Sequence, residues 1–157
     1  MGDIRATKLP ASSVDGYFSW GTFEHFENGI HECVAEAWRI LKPGGYLFVS
    51  TPFDNLRHAL TAAFDGRDRK APARQAERFY QWRFTRPELR DMLSRDGFEV
   101  LEVRRIGKVQ GTLRALDLNF GLKWQWRVSK MIAASSSIFL PAALVAHMIL
   151  AVARKPL

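Results

Sequence analysis

The residues whose side chains are best suited to catalysis are Glu24 and His25, which lie in a loop from Gly21 to Asn28. Imidazole titrates closest to neutral pH, so His25 can take a proton from a hydroxyl or amine nucleophile. Glu24 can orient that imidazole or bind a metal, although the sequence predicts no metal site around it. The alternative role of His25 is to hydrogen-bond the backbone and cap its loop. We take His25, accompanied by Glu24, as the candidate general base.

The elements around this pair form the second half of a βαβ unit. Val14–Trp20 is mostly apolar and aromatic, which predicts a strand buried on both faces. Apolar residues recur at helical spacing along Ile30–Leu41, and a Pro43-Gly44-Gly45 turn then leads into a strand at Tyr46–Ser50. Ligands of open α/β sheets bind beyond the carboxyl ends of the strands. The loop that carries His25 therefore lies at the predicted ligand edge.

Four stretches carry a resemblance to a known family. They are Leu9-Pro10, Val14-Asp15, Phe23-Glu24-His25 and the run Glu-Ala-Trp-Arg-Ile-Leu-Lys-Pro-Gly-Gly from Glu36 to Gly45. In this order and spacing they resemble the latter part of a class I S-adenosylmethionine-dependent methyltransferase. The similarity is greatest to the small-molecule branch that includes the ubiquinone-pathway O-methyltransferases. It covers most of residues 2–106, with a further match at the extreme C-terminus.

This resemblance implies an α/β fold, a partial Rossmann-like methyltransferase sheet made of the later strands. Flanking helices, a lid insertion and an antiparallel last strand complete it, so residues 1–157 form one incomplete methyltransferase domain. The family's first strand carries a glycine-rich turn for the cofactor, and its second strand ends in an acid that holds the ribose. No Gly-x-Gly-x-x-Gly occurs here, and no acid precedes Asp3. The N-terminal half of the cofactor site is therefore expected to lie outside this sequence.

The resemblance also implies a cofactor, S-adenosylmethionine, and a reaction in which its methyl group passes to an O, N or C nucleophile. The acceptor is expected to be a small molecule or a lipid. The residues implied in cofactor binding are Asp3, Ile4, Ser19 and Trp20, and those implied in acceptor binding are Phe23, Phe53, Asn55, Tyr80 and Trp82. For the aromatic residues near position 80, anchoring of the lid to the sheet is the alternative role.

The predicted lid comprises residues 56–84, which lack a clean period. It contains a basic stretch from Arg67 to Arg74 and an aromatic run from Phe79 to Phe84. Thr85-Arg86-Pro87-Glu88 has the pattern of a capping box with proline in the first turn, which predicts a helix start. A strand is predicted at Phe98–Val103.

The C-terminal region, residues 131–153, allows two interpretations. No formally charged residue occurs between Lys130 and Arg154, a length that would suit a membrane segment. Three serines and Pro141 interrupt this run, which favours a buried helix through Ile138 and Leu144 followed by an antiparallel strand at His147–Ala153. The alternative is a membrane-contacting segment, with Lys123–Arg127 as an interfacial anchor of aromatic rings and cations.

Bulk composition restricts the class of protein. With 157 residues, 47% hydrophobic and 25% charged, the chain is expected to fold as about one globular domain. Its single cysteine, Cys33, excludes an internal disulfide and fits a reducing compartment. No secretory pattern opens the sequence, so the expected location is cytoplasmic, with peripheral membrane contact as an alternative.

Charge is concentrated in the last third of the chain. The net charge is +7, and residues 99–157 contain nine basic and three acidic side chains. This is either a solvated basic face or a surface for an anionic partner. Nucleic acid is not predicted, because no readout motif accompanies the basic residues. A non-catalytic module is the alternative to an enzyme: it would bind an anionic membrane, or associate with another chain or itself through the open edge of Val14–Trp20.

Overall fold

The computed structural model describes residues 2–65, 73–75 and 78–157. The strands are β1 (Val14–Trp20), β2 (Leu41–Pro52), β3 (Ala73–Gln75), β4 (Arg78–Gln81), β5 (Glu99–Ile106) and β6 (Met148–Arg154). The helices are α1 (His31–Ile40), α2 (Leu56–Asp65), α3 (Arg86–Arg95), α4 (Lys108–Phe120), α5 (Arg127–Phe139) and α6 (Ala142–Val145), with a 3₁₀ turn at Phe23–His25.

The main sheet has four strands in the order β1-β2-β6-β5. β1 and β2 are parallel, and β6 is antiparallel to both of its neighbours, β2 and β5. The last strand is therefore inserted antiparallel into the sheet, as the sequence predicted. One consequence is that the N-terminal end of β6 lies at the same sheet edge as the carboxyl ends of β1 and β2.

One face of the sheet carries the hydrophobic core. Leu47 and Val49 of β2 and Ile149 and Ala151 of β6 are completely buried there. They cluster with buried residues of α1 and α3, namely Cys33, Val34, Ala37, Leu89 and Leu93. Burial raises the pKa of the Cys33 thiol to about 11, which makes it a structural thiol. Helix α1 lies within one residue at each end of the helix predicted from apolar spacing.

The Pro43-Gly44-Gly45 segment differs from the predicted free turn. It lies within β2 as an irregularity, because Val14 pairs with Leu41 whereas Gly16 pairs with Tyr46. Gly44 has a φ of +79°, and a Cβ on Gly45 would approach the carbonyl oxygens of both Lys42 and Asp15. The segment is thus a tight bulge that keeps β1 and β2 parallel.

The prediction that β1 is buried on both faces is wrong. Phe18 is 74% exposed and Trp20 is 68% exposed. Phe18 stacks on Phe48 at 4.4 Å between ring centroids, and Tyr46 lies beside Phe48 at 6.3 Å. In the described part of the chain, β1 is an edge strand and no element covers this end of the sheet. We call Phe18, Trp20, Tyr46 and Phe48 the aromatic sheet face.

The segment predicted to form a lid contains α2 and the β3–β4 hairpin. Most of its basic stretch, residues 67–72, lies outside the described residues. After the hairpin, Thr85 and Glu88 form the expected capping box, and each side chain accepts the other residue's backbone N–H. Helix α3 therefore begins where the sequence predicted.

The C-terminal helix differs from the single helix expected through Ile138 and Leu144. Pro141 separates α5 from the short α6 because proline cannot continue the backbone hydrogen-bond pattern. β6 follows with most of its residues buried. Within the described residues, no helix has the length and apolarity needed to cross a membrane.

Candidate functional site

The 3₁₀ turn after β1 buries the side chains of Phe23 and Glu24 and exposes that of His25. The N–H of Gly21 donates to the Ser50 carbonyl at 3.1 Å, and Gly21 has a φ of +65°, so the chain bends at once into the 3₁₀ turn. Phe23 is fully buried and its ring lies 6.0 Å from that of Tyr17. Phe23 therefore supports the turn from the core, and its predicted contact with an acceptor gains no support from this position.

His25 points outward and is held by a backbone carbonyl. Its Nδ1 lies 2.8 Å from the backbone carbonyl oxygen of Tyr80, and the two rings are edge to face with their centroids 5.3 Å apart. A carbonyl only accepts hydrogen bonds, so Nδ1 carries the proton in the neutral imidazole. Nε2 then keeps a lone pair. The bond to the backbone is the predicted capping role, and because it leaves Nε2 without that bond, the general-base role stays a prediction.

Glu24 is buried beneath the same turn. Its Oε2 has no hydrogen-bond partner in the described structure, and its Oε1 lies 3.4 Å from where a Cβ on Gly21 would be. Burial raises the pKa of this carboxyl. Burial therefore favours the neutral form of Glu24 more than it would for an exposed glutamate. A buried carboxyl with a raised pKa at a ligand edge is characteristic of functional sites, although structural networks also produce it.

The β3–β4 hairpin fastens this turn to the rest of the molecule. Trp82 donates its backbone N–H to the Glu24 carbonyl at 3.0 Å. Its indole Nε1 donates to the carbonyls of Phe26 and Glu27 at 3.0 and 3.2 Å. Trp82 thus has the anchoring geometry that was the alternative to substrate contact, whereas the ring of Tyr80 remains exposed beside His25.

The residues predicted on the adenine side form a hollow with the same turn. Asp3 and Ile4 line it together with Gly2, Thr22 and Phe26, and its volume is about 440 Å³. Arg5 holds the Asp3 carboxylate through Nη2 at 2.8 Å and Nε at 3.1 Å, and these bonds lower the pKa of Asp3. The carboxylate is therefore ionised and oriented. Trp20 belongs to the aromatic sheet face and does not line this hollow.

Several buried polar atoms at the carboxyl ends of β1 and β2 lack partners. The hydroxyls of Ser19, Ser50 and Thr51 join the Glu24 carboxyl in this condition within the described residues. Burying a polar group costs free energy unless it is hydrogen-bonded. These groups fit the amino, hydroxyl and carboxylate groups of S-adenosylmethionine, and Ser19 is one of the residues predicted to contact that cofactor.

Two predicted acceptor residues are structural in this geometry. Phe53 is buried in the core, with the Arg105 guanidinium 5.4 Å above its ring. Asn55 begins α2, since its Oδ1 accepts from the His58 N–H at 3.1 Å while its Nδ2 donates to the Ala146 carbonyl at 3.0 Å. Acceptor binding by Phe53 and Asn55 remains a prediction without support from their surroundings.

A second cavity at this edge involves residues that the sequence analysis did not propose for cofactor or acceptor binding. Its volume is about 560 Å³, and it is lined by Gln110, Leu113, Arg114, Asp117, Leu118, Trp124 and His147. Burial, followed by the nearby Arg114 and Arg83, lowers the pKa of His147 to about 4. Burial with Arg83 and Arg57 lowers the pKa of His58 to the same value. Both imidazoles are therefore neutral at pH 7 within a cationic environment.

Five of the seven lie on α4, Trp124 follows that helix and His147 precedes β6, and together they form no recognisable sequence motif. One signal was present in the sequence. Because the last strand was predicted antiparallel, its first residues had to lie at the carboxyl edge of the parallel strands. That topology places His147, immediately before β6, at the ligand edge.

Comparison with known proteins agrees with this geometry. Residues 1–49, from the N-terminus through most of β2, match the family model described as a methyltransferase domain. No curated protein sequence matches the chain. The resemblance predicted from the sequence is thus confirmed over the segment that includes Asp3, Glu24 and His25.

Solved structures extend the likeness to the whole fold. A putative methyltransferase of Haloferax volcanii, in complex with the Trm112 methyltransferase activator, has a TM-score of 0.61 and 19% identity over 99% of this chain. A putative methyltransferase of Bacillus halodurans has a TM-score of 0.59 and 17% identity over 100% of it. A phosphoethanolamine N-methyltransferase of Haemonchus contortus, with S-adenosyl-L-methionine bound, has a TM-score of 0.57 and 14% identity over 99%.

These matches define the fold as that of the Rossmann-like methyltransferases, as predicted. The chain spans 60%, 71% and 36%, respectively, of the three solved chains. It therefore aligns with only part of the length of each of these solved chains.

Proposed function

We propose that this chain is the C-terminal part of the catalytic domain of an S-adenosylmethionine-dependent methyltransferase that acts on a small-molecule or lipidic acceptor. The observation that carries the proposal is the turn at Phe23–His25. It lies within the segment that matches the methyltransferase family, at the carboxyl edge of the sheet, next to the hollow lined by Asp3 and Ile4. Residues 56–84 are proposed as the lid over this edge.

The roles of the chain's residues follow from their positions. S-adenosylmethionine, when bound, supplies an electrophilic methyl group. Asp3 and Ile4 would hold the adenine side, and Ser19 with Glu24 would hydrogen-bond polar groups of the cofactor or acceptor. Nε2 of His25 would accept the proton that an O–H or N–H nucleophile releases as it is methylated. Most of the acceleration would come from in-line positioning in a dry site, so His25 has a supporting role.

The cavity lined by Arg114 and His147, which we call the cationic cavity, favours the proposal of an acceptor that carries a negative group. Arg114 lines the cavity itself, and Arg57 and Arg83 are close enough to lower the pKa of the histidine beside it. Guanidinium groups bind carboxylates and phosphates with good geometry. A phosphoethanolamine N-methyltransferase of Haemonchus contortus with this fold was solved in complex with phosphomonomethylethanolamine, a phosphate-bearing molecule, and this is consistent with the proposal.

Cofactor binding by the protein isolated from its own cells tests the proposal. Its intact mass would first be compared with 17.9 kDa, the mass of this chain. Radiolabelled S-adenosylmethionine is then expected to bind in equilibrium dialysis and to be displaced by S-adenosylhomocysteine. Asp3→Ala should weaken binding, whereas Asp15→Ala should not, because Asp15 lies at the opposite end of β1 in an exposed pair with Lys42. Absence of binding by the native-length protein would overturn the proposal.

The second candidate function is a non-catalytic module that pairs with another chain through the edge of β1. The open edge and the aromatic sheet face favour it, because an unpaired strand beside exposed rings is a ready docking site. In that case the protein from its own cells would have the mass of this chain and would co-purify with a partner. A native-length protein that binds cofactor with no partner would exclude this module.

A further inference from the structure

The hairpin of α4 and α5 exposes a set of large apolar side chains. They are Leu118, Phe120, Trp124, Trp126, Val128, Met131, Ile132, Ile138 and Phe139, which we call the α4–α5 apolar surface. Ile138 is 74% exposed and Phe139 is 87% exposed. Single exposed apolar residues are ordinary, but nine of them on one pair of packed helices and their connecting loop indicate an interaction site.

Helix α5 has the reverse of the usual polarity of a surface helix, because its small residues are buried and its large apolar residues are exposed. Its buried positions are the small residues Ser129, Ala133 and Ser137, which repeat every four residues. Its large apolar residues occupy the opposite, exposed side. The hydrophobic effect alone would place the larger side chains inward. The outer face of α5 is therefore built for a medium less polar than water.

Cations flank this surface and carboxylates do not. Arg127 and Lys130 are exposed, and neither pairs with a carboxylate in the part of the chain that the structure describes. Within residues 108–139 the sequence has one acid, Asp117, which binds Lys123 at 3.2 Å. The sequence from residue 118 to residue 157 contains no aspartate or glutamate. The field over the apolar surface is thus positive.

We infer that the α4–α5 apolar surface docks on an anionic lipid bilayer, with its aromatic and aliphatic side chains in the interface and its cations at the headgroups. Trp124 and Trp126 have the amphipathic rings that favour headgroup depth. Basic residues beside an apolar face are attracted to anionic lipids. A second copy of the chain fits less well, because a two-fold contact would bring together two copies of the same cation-flanked surface with no carboxylate excess to balance them.

Docking on a bilayer would place the membrane next to the cationic cavity. Leu118 and Trp124 belong both to the apolar surface and to the wall of that cavity. A bilayer on the surface would therefore lie beside the cavity opening. This goes beyond the proposed function, since membrane docking requires neither cofactor nor catalysis and can be measured without them.

Vesicle flotation of the 157-residue chain tests the inference. The protein is expected to float with vesicles of phosphatidylcholine mixed with phosphatidylglycerol, and much less with phosphatidylcholine alone. The tryptophan emission should shift to shorter wavelength, and Trp124→Phe with Trp126→Phe should remove most of that shift. The double variant R127E/K130E should lower the partition coefficient at least about tenfold, because each basic residue near an anionic surface contributes roughly fivefold.

A matched control separates a local effect from net charge. R95E/R104E makes the same charge change at two exposed arginines of α3 and β5, outside the α4–α5 hairpin. It should retain most of the binding. The inference would be overturned by failure of the wild-type chain to float with anionic vesicles, or by equal losses in the two double variants. A surface that instead buries itself in a concentration-dependent dimer, with no flotation, would also overturn it.

Discussion

At the scale of single residues, the sequence predicted which side chains lie at the ligand edge but not the direction in which each of them points. Glu24 and His25 are adjacent in sequence, yet the 3₁₀ turn buries the first and exposes the second. Their environments are consequently different, with a desolvated acid on one side of the backbone and a solvent-accessible base on the other. Sequence spacing predicted that both lie at the ligand edge. It could not predict which side chain points inward, because that depends on the contacts of β4 with the turn.

The Tyr80 carbonyl predicts the tautomer of His25. In the neutral ring, Nδ1 should carry the proton and Nε2 the lone pair, since a carbonyl oxygen accepts only from an N–H. Long-range proton–nitrogen correlation spectra at pH 8 would measure this directly. His31 serves as the internal reference for these spectra, because its Nδ1 also faces an acceptor, an Asp96 carboxylate oxygen at 3.2 Å. A His25 spectrum with Nε2 protonated would remove it as the base.

The buried Glu24 predicts an unusual pH dependence of stability. Its folded pKa lies above the unfolded value of about 4.5, so the native state keeps a proton that the unfolded state loses as pH rises. This contribution to stability is present at low pH and is lost as pH rises through the folded pKa. Glu24→Gln should therefore raise the Tm at pH 8 by about 2–4 °C and change it little at pH 4.

The matched variant is Glu27→Gln, which neutralises an exposed carboxylate three residues later. Thermal unfolding followed by circular dichroism across this pH range should show a Tm difference that grows with pH only for Glu24→Gln. Equal and pH-independent differences in the two variants would mean that Glu24 is not desolvated.

At the scale of elements, local signals predicted boundaries well and surroundings poorly. The apolar spacing of α1 and the capping box at Thr85 lie within their own segments, so sequence could place both helix starts within a residue or two. The burial of β1 depends on what covers the sheet, and the orientation of α5 depends on α4. Pro141 was recognised as a break, but the outward direction of Ile138 and Phe139 was not predicted, because apolar residues were expected to turn inward.

The contact of α4 with α6 depends on one glycine. A Cβ at Gly111 would overlap the Val145 carbonyl, so no larger residue fits without moving a helix. Gly111→Ala should lower the free energy of unfolding by about 1–3 kcal/mol, even though alanine favours helix by about 1 kcal/mol. Urea unfolding followed by far-ultraviolet circular dichroism measures this difference.

Gly16→Ala provides the comparison, because its added Cβ would meet the Phe18 ring at an ordinary 3.6 Å. That variant should be as stable as the wild type or slightly more stable. An unchanged or raised stability in Gly111→Ala would show that α4 and α6 are not in close contact. His147 would then not be held beside the cavity by this packing.

At the scale of the whole molecule, the described chain has a sound core on one face of its sheet and two uncovered apolar surfaces elsewhere. The aromatic sheet face lies beside the unpaired edge of β1. The α4–α5 apolar surface is flanked by cations. We therefore expect different partners, protein for the aromatic sheet face with its unpaired strand edge and anionic lipid for the α4–α5 apolar surface.

The aromatic sheet face should make the isolated chain self-associate. Exposed rings next to an unpaired strand edge favour edge pairing between copies, and burying them removes apolar area from water. Sedimentation velocity over a wide concentration range should show growing species for the wild type. The double variant F18E/W20E should remain monomeric, because like charges would then meet across the contact. L118E/F120E adds the same charge at similarly exposed residues of α4, and it should weaken vesicle binding while leaving self-association unchanged. Monomeric wild-type protein at all concentrations, or equal effects of the two double variants, would contradict the assignment of separate partners to the two surfaces.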